Sequence, residues 1–192
     1  MKPPARESKG TSIKGGRVRL RPLLRSDFKA SVSWRNDPRI RDNILGYRFP
    51  VTEVMEKEWV AGVMNDQSRR RVVFAVEEVK SKTLLGFTYL NDIDWINRNA
   101  DFGILIGDAG RHRSGFGRET CTLMMSYAFD VLNLHKVVLR VAEYNRPAIS
   151  LYLRLGFVEE GRQRQQINLG GRWHDLVLMG LIRNRFSPRV SL

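Results

Sequence analysis

The sequence predicts a mixed α/β fold: a three-layer α/β/α sandwich whose twisted sheet is mostly antiparallel, with a central parallel pair. Three observations carry this. From Arg71 the apolar residues alternate with a period of two as far as residue 106, with Lys80-Ser81-Lys82 and Asn97-Arg98-Asn99 as turns, which is an antiparallel meander. Residues 137–141 are a short, nearly continuous apolar run after a long amphipathic segment; such strands are buried on both faces and lie parallel to a neighbour across a helical crossover. Segments of helical period flank the meander on both sides in the chain, so helices should cover both faces of the sheet.

Residues 1–16, rich in Pro, Gly, Ser and Lys with little to bury, read as a disordered basic arm ahead of one domain at 17–184 and a tail at 185–192. Val18, Leu20 and Pro22 alternate with Arg17, Arg19 and Arg21, a strand with one wet face. Ser26 should cap a helix over 27–34, with Asp27 in its first turn and the turn chemistry of Asn36-Asp37-Pro38 at its end. Residues 39–50 are loop-like and carry Tyr47, Arg48 and Phe49, which serve either specificity or, for Phe49, the core. Thr52 caps a second helix with Glu53 and Glu56 in its first turns and an apolar stripe of Val54, Met55, Trp59, Val60 and Met64.

In the meander, strands are expected at 72–76, 84–91 and 100–106. The third puts Ala100, Phe102, Ile104 and Ile106 on one face and Asp101, Gly103 and Leu105 on the other. A carboxylate there is unusual, since Asp is disfavoured in strands and costly to bury unpaired. Next comes His112-Arg113-Ser114-Gly115-Phe116-Gly117, a glycine loop between a strand and a helix start, which suits anion binding through free backbone N–H groups. It lacks the Lys and Ser/Thr of a P-loop, and Thr120 stands where a dinucleotide fingerprint needs Gly or Ala. A plain polar loop is the alternative.

In the helix that follows, Cys121, Met124, Met125, Ala128 and Leu132 make the apolar face and Glu119, Thr122, Ser126 and Asp130 the opposite one. After the strand at 137–141, Asn145 caps a helix with Pro147 in its first turn, Ile149, Tyr152 and Leu153 facing inward, and Leu155-Gly156-Phe157 at its end. A hairpin of 158–169 and 172–181 turns at Gly170-Gly171.

The chain has 192 residues, 42% hydrophobic and 28% charged, which is globular composition with no apolar run long enough to cross a membrane. A lone Cys121 and no apolar leader within residues 1–16 fit a reducing cytoplasm. The net charge of +13 calls for an anionic partner, either nucleic acid or a ligand with several phosphates.

Taken with Asn145, Ala148, Tyr152, Gly156 and Phe157, the glycine loop resembles the acyl-CoA-binding signature of the GNAT superfamily of N-acetyltransferases. That family's loop is written Gln/Arg-x-x-Gly-x-Gly/Ala, and its second motif Asn-x-x-Ala-x-x-x-Tyr-x-x-x-Gly-Phe. The second motif is matched in full; the first departs at His112. Trp34-Arg35-Asn36, the strand Ala100-Asp101-Phe102-Gly103 and Gly161, Asp175 and Met179 are similar to the branch of ribosomal-protein and polyamine acetyltransferases.

The resemblance implies the acyl-CoA N-acyltransferase fold and direct acetyl transfer from acetyl-CoA to a primary amine in a ternary complex. The pyrophosphate of acetyl-CoA would lie on the amides of His112, Arg113, Ser114, Gly115, Phe116 and Gly117, with Arg111 or Arg113 supplying charge. The pantetheine arm would pair with Ile104, Leu105 and Ile106 and bond Asn145. A backbone N–H near residues 102–105 would polarise the thioester carbonyl. Tyr152 would protonate the departing thiolate, or else be a core aromatic; Asp101 would be the general base, directly or through a water, or else a structural carboxylate. Glu119 reads as a helix-dipole partner, Cys121 as buried, and His112, His135 and His174 as too scattered for a metal site.

The partner is a small-molecule amine or a peptide N-terminus, with a homodimer left open and no membrane contact. A ribosomal-protein N-terminus would draw on the basic surface to meet RNA, and a noncatalytic nucleic-acid-binding protein is the alternative of a different class, although no aromatic platform or recognition helix is evident. A polyamine site would want carboxylates, for which Glu53, Glu56, Glu58 and Asp92 are available.

Overall fold

The computed structural model describes residues 12–45, 48–107 and 114–187. The chain runs through β1 (Ile13–Lys14), β2 (Val18–Arg21), a 3-10 turn (Arg25–Asp27), α1 (Phe28–Asn36), α2 (Pro38–Arg41) and α3 (Glu53–Met64). The meander β3 (Val72–Glu78), β4 (Leu84–Asp94) and β5 (Asn99–Ile106) follows, then α4 (Phe116–Ser126), which runs on into a π-helical turn (Tyr127–Val131). Strand β6 (Lys136–Ala142), α5 (Arg146–Arg154) and the hairpin β7 (Val158–Leu169) and β8 (Arg172–Ile182) complete it.

One sheet of eight strands results, in the order β1-β2-β3-β4-β5-β6-β8-β7. Among the described residues only β5 and β6 pair in parallel, as the apolar run at 137–141 led one to expect, and the crossover between them carries α4. On one face Leu123, Met124 and Met125 of α4 and Tyr152 of α5 pack on Leu20, Phe74, Phe102 and Leu139. On the other, Phe28 of α1 and Val60 of α3 pack on Ala75, Phe87 and Leu105. This is the three-layer α/β/α sandwich.

Several local readings are corrected. The fold begins before Arg17: Ile13 pairs with Leu20 and packs against the core, so the last part of the expected arm is an edge strand. Residues 1–11 lie outside the described residues. Ser26 is not a cap; instead the Asp27 carboxylate accepts the Leu24 N–H at 2.8 Å from inside the turn. Pro38 opens α2 rather than closing a loop, because Asp37 accepts the Arg39 N–H at 2.9 Å and a proline costs nothing at a helix start. The face of β2 expected to be wet is not: Arg19 Nη2 meets Glu77 Oε1 at 2.6 Å, and Arg21 reaches Glu77 Oε2 at 2.7 Å and Asp27 Oδ2 at 2.9 Å, with both carboxylates buried.

Helix α3 turns only part of the expected stripe inward, Trp59 and Val60 packing on the core while Met55 and Met64 stay exposed. Thr52 caps it, its hydroxyl accepting the Met55 N–H at 3.3 Å, but Val54 is 62% exposed while Glu56 is 2% exposed. The Glu56 carboxylate takes a hydrogen bond from the Ser31 hydroxyl and pairs with Arg35 at 3.1 Å, so α1 supplies what a buried charge requires. In α5, Leu153 is likewise 53% exposed, whereas Ile149, Leu151 and Tyr152 face the core.

Candidate active site

The site arises where the parallel pair comes apart. Strands β5 and β6 pair from Asn99↔Lys136 to Asp101↔Val138 and no further, although β5 stays on β4 to Ile106 and β6 stays on β8 to Ala142. Between the diverging strands opens a cleft of about 960 Å³. It passes through the sheet. Tyr152, Leu151 and Gly117 line it from the α4/α5 face, and Ile40, Ile44 and Tyr89 from the α1–α3 face.

Ile104, Leu105 and Ile106 form one wall, with Ile104 and Ile106 packed on the α4/α5 core and Leu105 on the other, as their alternation required. At the end of this wall Gly115, at φ 86°, is the N-cap of α4, a left-handed backbone that glycine adopts without strain. Among the described residues no side chain caps this helix start, and its first-turn N–H groups and dipole suit an anion. Gly115, Gly117 and Arg118 line the cleft; Phe116 points into the core. The Ser114 carbonyl accepts from the Arg17 guanidinium at 2.8 Å, and the Glu119 carboxylate accepts the Arg17 N–H at 2.9 Å, tying the helix start to β2. Arg111, His112 and Arg113 lie outside the described residues, as does Tyr47.

Asn145 caps α5, its Oδ1 accepting the Ala148 N–H at 3.3 Å while its amide donates to the Asn43 carbonyl at 3.4 Å. It lines the cleft already engaged at both ends. Tyr152 stands edge-on to Phe102, with ring centres 6.3 Å apart, and lies 5.7 Å from Phe157. Burial, helped by Cys121 and Tyr89 nearby, pushes its phenol well above the ordinary value, so it keeps its proton at any working pH.

Asp101 and Arg140 come together across the last rung of the parallel pair, Oδ2 to Nη2 at 3.1 Å. Burial raises the Asp101 pKa, Arg140 opposes this and Asp92 adds to it; the net direction is up. Of the four carboxylates available to a polyamine, only Asp92 lines the cleft: Glu56 is consumed by Ser31 and Arg35, and Glu53 is engaged by Lys57 on the surface.

Arg140 and Tyr89 are among the cleft residues that were not singled out from sequence. Arg140 carries a signal, being the one charge inside the apolar run 137–141. Tyr89 carries none, because only the register sets it opposite Gly103. A Cβ on Gly103 would stand 2.0 Å from the Tyr89 ring. Gly103→Ala is therefore expected to cost about 1–3 kcal/mol in thermal or denaturant unfolding as the ring is forced aside.

Among the described residues no group of three or more His, Cys, Asp and Glu side chains could hold a metal, and no helix is long and apolar enough to cross a membrane. Cys121 is fully buried on α4 and its thiol is pushed up by that burial, a poor setting for a nucleophile.

Residues 17–158 match the acetyltransferase (GNAT) domain family. The chain is 34% identical to the spermidine N(1)-acetyltransferase of Vibrio cholerae over 174 residues, 88% of this chain and 95% of that one. It is 29% identical to the Escherichia coli K12 enzyme of the same name over 88% of each. A crystal structure of the Vibrio cholerae enzyme in complex with CoA and spermine superposes with a TM-score of 0.79 at 30% identity, over 88% of this chain and 96% of that chain. The matched domain spans every element from β2 to α5, and this protein belongs to the GNAT family, as an N-acetyltransferase whose acyl donor is acetyl-CoA.

Proposed function

We propose that the protein moves the acetyl group directly from acetyl-CoA to a primary amine while both are bound. The observation that carries this reading is the cleft through the sheet, which reaches the N-terminus of α4 at one end and the Asp101 carboxylate at the other, with Tyr152 between. Acetyl-CoA would enter on the α4/α5 face, its pyrophosphate on the first-turn amides of α4 beside Arg118, and its pantetheine arm along β5 beyond its last rung with β6. The sulfur would then approach Tyr152. The amine nitrogen attacks the thioester carbon, a C–N bond forms as the C–S bond breaks, and a backbone N–H of residues 102–105 bears the oxyanion. The amine's proton passes to Asp101, directly or through a water, while the Tyr152 hydroxyl donates to the leaving sulfur.

Initial-rate kinetics test the reading. Double-reciprocal plots that intersect to the left of the axis are expected, whereas parallel lines would point to an acetyl-enzyme and overturn direct transfer. For the base, Asp101 acts only when ionised, and its pKa is raised, so kcat/KM should fall as pH drops through a value above the usual carboxylate range. Asp101→Asn should lower kcat/KM about 100-fold and remove that limb; a limb that persists unchanged would return Asp101 to a structural role.

The spermidine acetyltransferases among the relatives make a polyamine the first acceptor to try. The competing acceptor, a ribosomal-protein N-terminus, is favoured by the net charge of +13. RNA binding that falls steeply with salt and is lost on deleting residues 1–11 would support it.

A further inference from the structure

The acceptor side of the cleft has an unusual charge arrangement for an amine site. On the α1–α3 face the charged side chains that line it, among the described residues, are Asp92, Asp101 and Arg140. Arg118 and Arg154 lie on the α4/α5 face, where the donor's phosphates would be. Arg35, behind Tyr89, is held by Glu56. One of the two carboxylates thus already faces a guanidinium.

A site for a polycation would gather carboxylates, because each further ammonium needs a partner and repels any fixed positive charge. Here a second ammonium near Asp101 would meet Arg140. The Arg140 side chain is 58% exposed, and among the described residues its ion-pair partner is Asp101, Oδ2 to Nη2. Arg140 lines the cleft, and its planar fork is a shape suited to a carboxylate or phosphate. The same positive charge favours the neutral form of a neighbouring amine, which is the form that attacks.

We propose that Arg140 is a specificity-determining residue, and that the acceptor is a primary amine carrying its own anionic group: the amine at Asp101 and Asp92, the anion on Arg140. This rests on the transferase reading above. A carboxylate on a peptide or amino acid and a phosphate on an amino sugar share the required chemistry.

Thiol release from acetyl-CoA with matched acceptors tests it and separates the two sources. The acceptors are glucosamine against glucosamine 6-phosphate, alanyl-alanine amide against alanyl-glutamate amide, and spermidine, each with the unmodified protein and with Arg140→Gln. The expected result is a kcat/KM about tenfold or more higher for the anionic member of at least one pair, equivalent to one charge-assisted contact. Arg140→Gln should collapse that ratio to within about twofold and move preference towards spermidine, while calorimetry finds acetyl-CoA still bound. The phosphate pair responding alone would name an amino-sugar phosphate, and the peptide pair alone an acidic peptide end. Spermidine preferred over every anionic amine, or a ratio that survives Arg140→Gln, would overturn the proposal and leave the transferase standing. No thiol release with any acceptor would overturn both.

Discussion

Tyr152→Phe is expected to lower kcat about 100-fold while the KM for acetyl-CoA stays within about twofold. The ring is retained, so its edge-on packing against Phe102 and its contact with Phe157 persist, and thermal unfolding should be unchanged. What is lost is the one O–H that the proposed mechanism sets beside the leaving sulfur. Among the described residues nothing else hydrogen-bonds to that hydroxyl, so its removal strands no protein partner and the change reads on chemistry alone. The direction of the phenol's shift adds a second observable. Because burial holds it protonated, the unmodified enzyme should show no alkaline loss of kcat from Tyr152 ionising. An unchanged kcat in Tyr152→Phe would leave the thiolate to be protonated by solvent.

Glu77→Ala is expected to destabilise the fold by about 3 kcal/mol in denaturant unfolding, a large share of a domain's total stability. Glu77 is buried between Arg19 and Arg21, and its loss leaves Arg21 with Asp27 and takes from Arg19 the carboxylate it meets. Arg19→Ala added to Glu77→Ala should recover part of the loss, because the stranded charge goes with it. The pH dependence has a definite sign. Burial raises the Glu77 pKa, but the hydrogen bonds and charges of Arg21 and Arg19 outweigh it, and the net direction is down. Its contribution is therefore fully present above the ordinary carboxylate range and is lost as pH falls through the lower folded value. Unfolding that is insensitive to pH below that range in the unmodified protein would argue against this.

The elements legible in sequence are those whose information is local. The meander follows from alternation and turn residues, the parallel strand from the apolar run at 137–141, and the caps of α3 and α5 from Thr52 and Asn145 standing before helical stretches. The family signature at Asn145, Tyr152 and Phe157 was likewise readable, and those side chains do meet at the cleft or its floor. What failed depends on partners far along the chain. Arg19 and Arg21 look solvated until β3 brings Glu77 alongside, and Glu56 looks like a surface dipole partner until α1 presents Ser31 and Arg35. The opposition of Asp101 and Arg140 needs the register of two strands, which no single segment contains.

The split between β5 and β6 has a further consequence, for traffic. Because it runs through the sheet, the cleft is lined from both faces, and on the direct-transfer proposal the two substrates would meet back to back, neither having to leave for the other to enter. Only an acceptor's terminal amine and its nearest atoms would then need to reach Asp101. On that proposal a long or bulky acceptor would keep its remaining mass outside, and spent CoA would be free to depart from behind while the acetylated product is still in place.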